Sequence, residues 1–172
     1  MLHSTTLALG IPLKVSIHPR SPTKVKRRID CGNGTHTRHI PVKPLLSIAI
    51  PTKNRLSYVT SSIRTATRLA DSDIEILIHD NSETNDLYHF VQELDDPRVH
   101  YEHFPKPLSM SENYEASLSM CNGRYISVIG DDDGVTRFLP LLARWADKLQ
   151  LDLIVPTNTA HFVWPDLRSE EH

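Results

Sequence analysis

The chain has 172 residues, 39% hydrophobic and 23% charged, which is enough apolar material for a core and too little charge for a disordered chain. A formal net charge of −2 excludes a uniformly basic nucleic-acid binder, and no apolar run approaches the roughly 18 residues of a membrane-crossing helix. The two cysteines, Cys31 and Cys121, give neither a disulfide framework nor the paired spacing of structural zinc.

Charge is spread unevenly. Residues 1–44 carry eight Lys/Arg against one acid, Asp30, whereas residues 45–172 carry eleven against twenty acids. The first stretch is rich in Pro, Thr and His without sustained periodicity and reads as a basic, flexible extension; 45–172 reads as the folded domain. Leu7–Leu13 is weakly apolar but broken by Gly10 and Pro12, and no small-residue cleavage site follows, so no secretory signal is expected. Lys24, Lys26, Arg27 and Arg28 read as a solvated basic tail, and no nucleic-acid partner is expected. With neither signal nor span, the default expectation for location is the cytoplasm.

From Leu45 the pattern changes. Leu45–Ile50 is a short apolar run stopped by Pro51, as in a buried strand. Leu56, Val59, Ile63, Ala66 and Ala70 fall at helical spacing and predict an amphipathic helix ending near Asp71. Ile74–Ile78 is a second buried strand, ended by His79-Asp80-Asn81-Ser82. Asp86–Leu94 predicts a short helix on Leu87, Phe90, Val91 and Leu94, and Arg98–His103 a third, weaker strand. Ser109 with Glu112 forms a capping-box pattern, opening a helix with Tyr114, Leu118 and Cys121 on one face and a stop at Asn122-Gly123. Tyr125–Ile129 is a fourth strand, ended by Gly130-Asp131-Asp132-Asp133-Gly134. Phe138, Leu142, Trp145 and Leu149 mark a further helix with Pro140 in its first turns, and Leu151–Val155 predicts a fifth strand. Strand alternating with helix implies an α/β fold, a mostly parallel sheet flanked by helices. Ligands then gather beyond the carboxyl ends of the strands.

Three polar sequences stand at those ends. Asp131-Asp132-Asp133 is three adjacent carboxylates, which repel one another unless solvated or bound to a cation. Mg²⁺ is commonly held by one or two carboxylates plus substrate phosphates, and the flanking Gly130 and Gly134 permit a tight turn. An acidic surface turn is the plainer alternative. Asp80 suits a hydrogen bond from a base or ribose, or equally an Asx-turn; His79 suits a base, or a packed side chain. Thr52, Asn54 and Arg55 form a polar cluster that would otherwise be a helix start. No glycine-rich dinucleotide or P-loop signature and no G-x-S-x-G elbow is present.

The order Ser47-Ile48-Ala49-Ile50-Pro51-Thr52-Lys53-Asn54-Arg55, then Ile78-His79-Asp80-Asn81-Ser82, then Asn122-Gly123-Arg124-Tyr125-Ile126 leading into Gly130-Asp131-Asp132-Asp133 resembles an inverting family 2 glycosyltransferase of GT-A fold. The resemblance covers about Leu45 to Asn158 and implies a site for a nucleotide-diphosphate sugar, with a UDP-sugar as the expected donor and an unspecified acceptor. It places Pro51, Thr52 and Arg55 beside the nucleobase, Asp80 on the base, Asn113 toward the donor, and Asp131 at the donor too. The D-x-D signature falls on Asp131, Asp132 and Asp133, which would hold Mn²⁺ or Mg²⁺ on the diphosphate; Gly130 stands where many relatives carry the first Asp. The family's catalytic base lies well beyond the D-x-D. Asp147, Asp152, Asp166, Glu170 and Glu171 give no convincing match, so no base is assigned and the fold is expected to be incomplete at the C-terminus, as a donor-binding half. An oligomer or partner covering the sheet edge after Leu151–Val155 is a further expectation. The alternatives are a non-catalytic nucleotide-binding fragment or pseudoenzyme, a nucleotidyltransferase (disfavoured by the absence of glycine in Pro51–Arg55), and a structural α/β domain.

Overall fold

The structure, a computed structural model, describes residues 43–154 together with the short segments Ser4–Thr6, Pro12–Lys14 and His18–Pro19. The basic cluster Lys24–Arg28, Cys31, Asn158 and the tail acids Asp166, Glu170 and Glu171 lie outside the described residues. The chain divides into two compact units, the larger one containing Lys43–Arg144.

In the smaller unit, β1 (Ser4–Thr6) pairs antiparallel with β2 (Pro12–Lys14), and β3 (His18–Pro19) pairs antiparallel with Leu151–Leu153. The larger unit holds β4 (Leu46–Thr52), α1 (Leu56–Thr67), β5 (Ile74–Asp80), α2 (Leu87–Leu94), β6 (Val99–His103), α3 (Met110–Ser119) and β7 (Tyr125–Val128). The helix α4 (Phe138–Lys148) begins in it, and Leu151–Leu153 is β8. Sheet order is β6-β5-β4-β7, all parallel. The expected fifth strand is therefore a correction: β8 forms, but its ladder partner is β3 and not this sheet. Only three residues long, it has too few alternating apolar positions to specify a place in a parallel sheet.

β4 and β5 are buried along their whole lengths, as central parallel strands must be. Side chains alternate across the sheet, so Leu46, Ile48 and Ile50 of β4 and Ile74, Ile76 and Ile78 of β5 face one way. That face packs on Val59, Ile63 and Ala66 of α1 and Leu87 and Val91 of α2. The opposite face carries Ser47, Glu75 and His79, and α3 packs there.

Three details of the helices differ from the periodicity. α1 ends at Thr67, and Leu69 fills the core position assigned to Ala70, which is exposed. Leu56 is also exposed. On α3 the expected apolar face is wrong: Leu118 is exposed, and the buried residues are Asn113 and Ser117. The reason is the partner surface, since the β-sheet face beneath α3 is itself polar. The capping box is present as expected: Glu112 N–H donates to Ser109 Oγ, and Ser109 N–H to Glu112 Oε2 at 2.8 Å.

Asn122-Gly123 has a different role from the predicted helix stop, because α3 already ends at Ser119. Both residues bind the buried carboxylate of Glu75. Its Oε1 accepts from Ser47 Oγ–H at 2.6 Å, Asn122 N–H at 2.6 Å and Gly123 N–H at 3.1 Å. This ties β4, β5 and the turn into β7 together at the amino ends of the strands, and satisfies a charge that would otherwise be costly to bury. A side chain on Gly123 would put its Cβ 2.5 Å from Ser47 Oγ and 2.6 Å from the Ser47 backbone nitrogen. Gly123→Ala is therefore expected to destabilise the fold by about 1–3 kcal/mol, the usual cost of overpacking. Urea denaturation checks this; a midpoint equal to wild type would show that the turn is not clamped.

Candidate functional site at the strand ends

β4 and β5 end in register, Thr52 opposite Asp80, so their loops start side by side. Thr52 is buried, and both its carbonyl and its hydroxyl are engaged. Its carbonyl accepts from the Asn81 backbone N–H at 2.9 Å and from Asn113 Nδ2 at 3.0 Å, while its hydroxyl donates to Asp131 Oδ2 at 2.8 Å. One residue thus joins the β5 loop, α3 and the loop after β7. Pro51, one step earlier, is buried in the strand opposite His79.

The acidic loop is anchored at both ends. Ile129 N–H donates to Ala49 O at 3.0 Å, and Val135 N–H to Thr65 Oγ1 of α1 at 2.9 Å. Between these anchors the three aspartates behave differently. Asp131 is buried, with one oxygen on Thr52 and the other on Arg55 Nη1 at 2.8 Å. Burial pushes its carboxyl above the usual carboxylate range, against the Thr52 hydrogen bond and the Arg55 charge, which both act to lower it. Asp132 is exposed and receives Arg55 Nη2 at 3.4 Å. Asp133 is exposed too, and its Oδ2 accepts from Gly130 N–H at 3.3 Å. Arg55 lies over the Tyr58 ring, 4.4 Å from its centroid. Burial works to lower its pKa, but the charges of Asp131 and Asp132 outweigh it and leave the guanidinium more firmly protonated.

On the other side of Thr52 is a cavity of about 210 Å³, walled by Thr52, Asn54, Val59, Asp80, Ser82 and Asp86 among others. Asp80 accepts from Ser82 N–H at 2.9 Å, the Asx-turn bond, and from the Tyr101 hydroxyl at 2.9 Å. Burial, then the bond to Asp80, raises the Tyr101 pKa, so the phenol remains a donor. Asn54 has φ of 57°, in the left-handed region that asparagine tolerates, and its backbone and side chain bond Ser82 Oγ and Glu83 N–H.

The sequence-predicted residues Thr52, Arg55, Asp80, Asn113 and Asp131 are therefore brought together, with Pro51 in the strand behind them. Asn113 is engaged internally: its Oδ1 accepts from His79 Nδ1 at 2.6 Å while its Nδ2 holds Thr52 O, so it braces the site. That geometry makes His79 a packed Nδ1–H donor, the plainer of its two readings. Sequence reasoning missed Tyr101 and Asn81. Tyr101 looked like one more strand residue. Asn81 donates to the carbonyls of Phe104 and Lys106 at 2.6 and 2.7 Å and accepts from Leu108 N–H at 3.0 Å, fixing the loop into α3. The signal available was an asparagine directly after a buried strand, a side chain able to pair with exposed backbone in both directions.

Comparisons with known proteins agree with this layout. The sequence profile described as glycosyl transferase family 2 matches residues 47–169. The chain is 33% identical over 92 residues to WcaA of Escherichia coli (strain K12), across 52% of this chain and 33% of that protein. It is 27% identical over 100 residues to the GalNAc(5)-diNAcBac-PP-undecaprenol beta-1,3-glucosyltransferase of Campylobacter jejuni, across 52% of this chain and 30% of that one. The chain thus spans about a third of the length of these curated relatives. Among solved structures, S. aureus TarS 1–349 superposes with a TM-score of 0.53 at 16% identity, covering 60% of this chain and 32% of the other, a likeness of fold.

Asn81→Ala would leave Leu108 N–H and two carbonyls without their partner. A loss of about 1 kcal/mol is expected, the usual net worth of a hydrogen bond, because these backbone groups are only partly buried and water can reach them. Faster amide exchange at Leu108 should accompany it; unchanged exchange there would show that another group holds the loop.

Proposed function

The chain belongs to glycosyl transferase family 2, and from that premise we propose that its strand ends form the donor site for a nucleotide-diphosphate sugar, with UDP-sugars the expected class. The observation that carries this reading is the double role of Thr52, which walls the cavity and also bonds the acidic loop. Cavity and acidic loop are thereby anchored to the same buried residue, which supports a base end and a diphosphate end held at a fixed separation. At about 210 Å³ the cavity is smaller than the roughly 300–1,000 Å³ typical of whole-ligand pockets, and suits the base end of the nucleotide.

Asp80 faces the cavity and is the acceptor for a base N–H, its carboxylate oriented by Ser82 and Tyr101. Arg55, which the resemblance set beside the nucleobase, bonds Asp131 and Asp132 and does not line the cavity, so the reading proposed here gives its positive charge to the diphosphate end. Asn113 and His79 keep the Thr52 backbone in place. Among the described residues no group of three His, Cys, Asp or Glu side chains converges as a ready metal cage. The donor chemistry nevertheless fits Mg²⁺ or Mn²⁺ bound by one or two carboxylates, with phosphate and water completing the shell. Asp132 and Asp133 are the exposed carboxylates for that role, whereas both oxygens of Asp131 already serve Thr52 and Arg55. When bound, the ion would offset negative charge on the departing nucleoside diphosphate. No catalytic base is assigned, and what is proposed for this chain is donor binding; sugar, acceptor and transfer belong to the wider family reading. Among the described residues no helix is long and apolar enough to cross a membrane.

Calorimetry with UDP is expected to show binding with Mn²⁺ that collapses in chelator, and Asp132→Asn combined with Asp133→Asn should mimic the chelator. Equal affinity in both buffers would remove the metal from the account. Asp80→Asn keeps the side-chain shape but not the charge, and should weaken UDP binding by about 1 kcal/mol, the difference between charged and neutral hydrogen bonds. Wild-type affinity in that variant would leave Asp80 as a turn residue alone.

A further inference from the structure

Asp80 is 1% exposed, yet the donors that reach its carboxylate are two neutral groups, the Ser82 N–H on Oδ1 and the Tyr101 hydroxyl on Oδ2, each at 2.9 Å. Among the described residues the other buried carboxylates, Glu75 and Asp131, are better supplied. Glu75 Oε1 takes three donors, and Asp131 has a guanidinium. A carboxylate offers about four acceptor positions, so Asp80 meets the cavity with about two of them open. Among the described residues no Lys, Arg or His walls that cavity. Tyr101 is held in place by packing. It stands on β6 opposite Ile78 in the ladder, packs against the hydrophobic core, and has its ring 6.2 Å from that of Tyr88. Its hydroxyl lies between Asp80 Oδ2 and Asn85 Oδ1, the latter at 2.7 Å, with one proton for two acceptors. The carboxylate is charged and the amide is not, so the proton belongs to Asp80 despite the shorter distance to Asn85.

We propose that Tyr101 is a positioning residue that sets base selectivity at this cavity: by holding Asp80 Oδ2 it fixes the plane of the carboxylate, so that a base with a ring N–H, as in uracil, is preferred over one with a ring lone pair in its place, as in cytosine. This rests on the donor-site reading above and adds to it the residue that decides the base. Ser82 alone would tie the carboxylate at one oxygen and leave it free to turn about its last torsion. With Tyr101 on the other oxygen, both ends are held. A ring N–H then meets a charged acceptor at a defined position. A ring lone pair meets the same charge with repulsion, and leaves a buried carboxylate without the partner its open positions require. The phenol suits this role because burial, then the bond to Asp80, raises its pKa and keeps its proton available. Asn85 is the competing acceptor for that proton, so it weakens the hold on Asp80 where Tyr101 supplies it.

The quantity to measure is the ratio of affinities for UDP and CDP, by calorimetry in one Mn²⁺ buffer. Ribose, diphosphate and metal are common to the two ligands and cancel in the ratio, which therefore reads the base alone. Wild-type protein is expected to bind UDP about tenfold more tightly than CDP, the scale of one charge-assisted hydrogen bond. In Tyr101→Phe, which keeps the ring, the ratio should fall to about twofold, through weaker UDP binding with CDP little changed. A merely structural role would weaken both ligands alike and leave the ratio where it was. Asn85→Ala removes the competing acceptor and should keep the ratio at or above wild type. Each variant removes only an exposed amide or one hydroxyl, so both are expected to fold, which circular dichroism verifies. A wild-type ratio in Tyr101→Phe, or a ratio in Asn85→Ala as low as the one expected for Tyr101→Phe, overturns the role of the phenol. Wild-type protein that binds UDP and CDP equally overturns base selection at Asp80 and leaves the donor site standing. Wild-type protein that binds neither nucleotide overturns the donor site and this inference with it.

Discussion

Thr52 is the joint of the molecule. It ends the central strand β4, where the ladder runs out and the backbone still has hydrogen bonds to make in a place water does not reach. Its carbonyl is filled by two donors, from Asn81 and Asn113, and its hydroxyl reaches Asp131. A carbonyl oxygen has two lone pairs, so this end of the strand is saturated. Because the three partners lie on separate loops and helices, the requirement to satisfy one residue fixes the relative positions of the β5 loop, α3 and the acidic loop.

The two ends of the sheet solve the burial of polar groups in different ways. At the amino ends, Glu75 collects Ser47, Asn122 and Gly123 and exposes little, which makes a rigid clamp. At the carboxyl ends the same economy applies to Thr52, Asp80, Asn81 and Asn113, all buried. Only beyond them do Asp132 and Asp133 turn outward. The exposed carboxylates are thus mounted on residues whose own geometry is already fixed, the arrangement that binding at a defined distance would demand.

Strand and helix order was readable because apolar runs and 3.6-residue spacing report burial directly, and Leu46–Thr52 and Ile74–Asp80 are buried throughout. The polar strand ends were readable for the same reason: an Asp or Thr that follows a fully apolar run sits at the mouth of a parallel sheet. What could not be read was every feature decided by a partner distant in sequence. Asn113 and Ser117 point inward on α3 because Ser47, Glu75 and His79 make the facing strands polar, a fact invisible in the helix alone. Gly123 followed a helix and looked like its stop, yet its need is for closeness to Ser47 across the sheet. Asp131, Asp132 and Asp133 are equivalent as letters and differ only through Thr52 and Arg55, some eighty residues earlier for the first of these contacts.

That division of labour among the aspartates has an energetic logic. Burying a carboxylate costs several kcal/mol unless hydrogen bonds and an opposite charge make up for it, and such a pair stabilises a fold weakly at best. Asp131 shows the strain of this balance, its carboxyl pushed upward by burial despite Thr52 and Arg55. An apolar residue in the same place would leave the buried Thr52 hydroxyl and the Arg55 charge without their partner, and removing one member of such a pair costs more than the intact pair contributes. By fixing one nitrogen of the guanidinium at 2.8 Å, the buried aspartate sets the other nitrogen beside its exposed neighbour at 3.4 Å. One buried carboxylate therefore holds a cation against the exposed part of the acidic loop and screens the repulsion among its carboxylates.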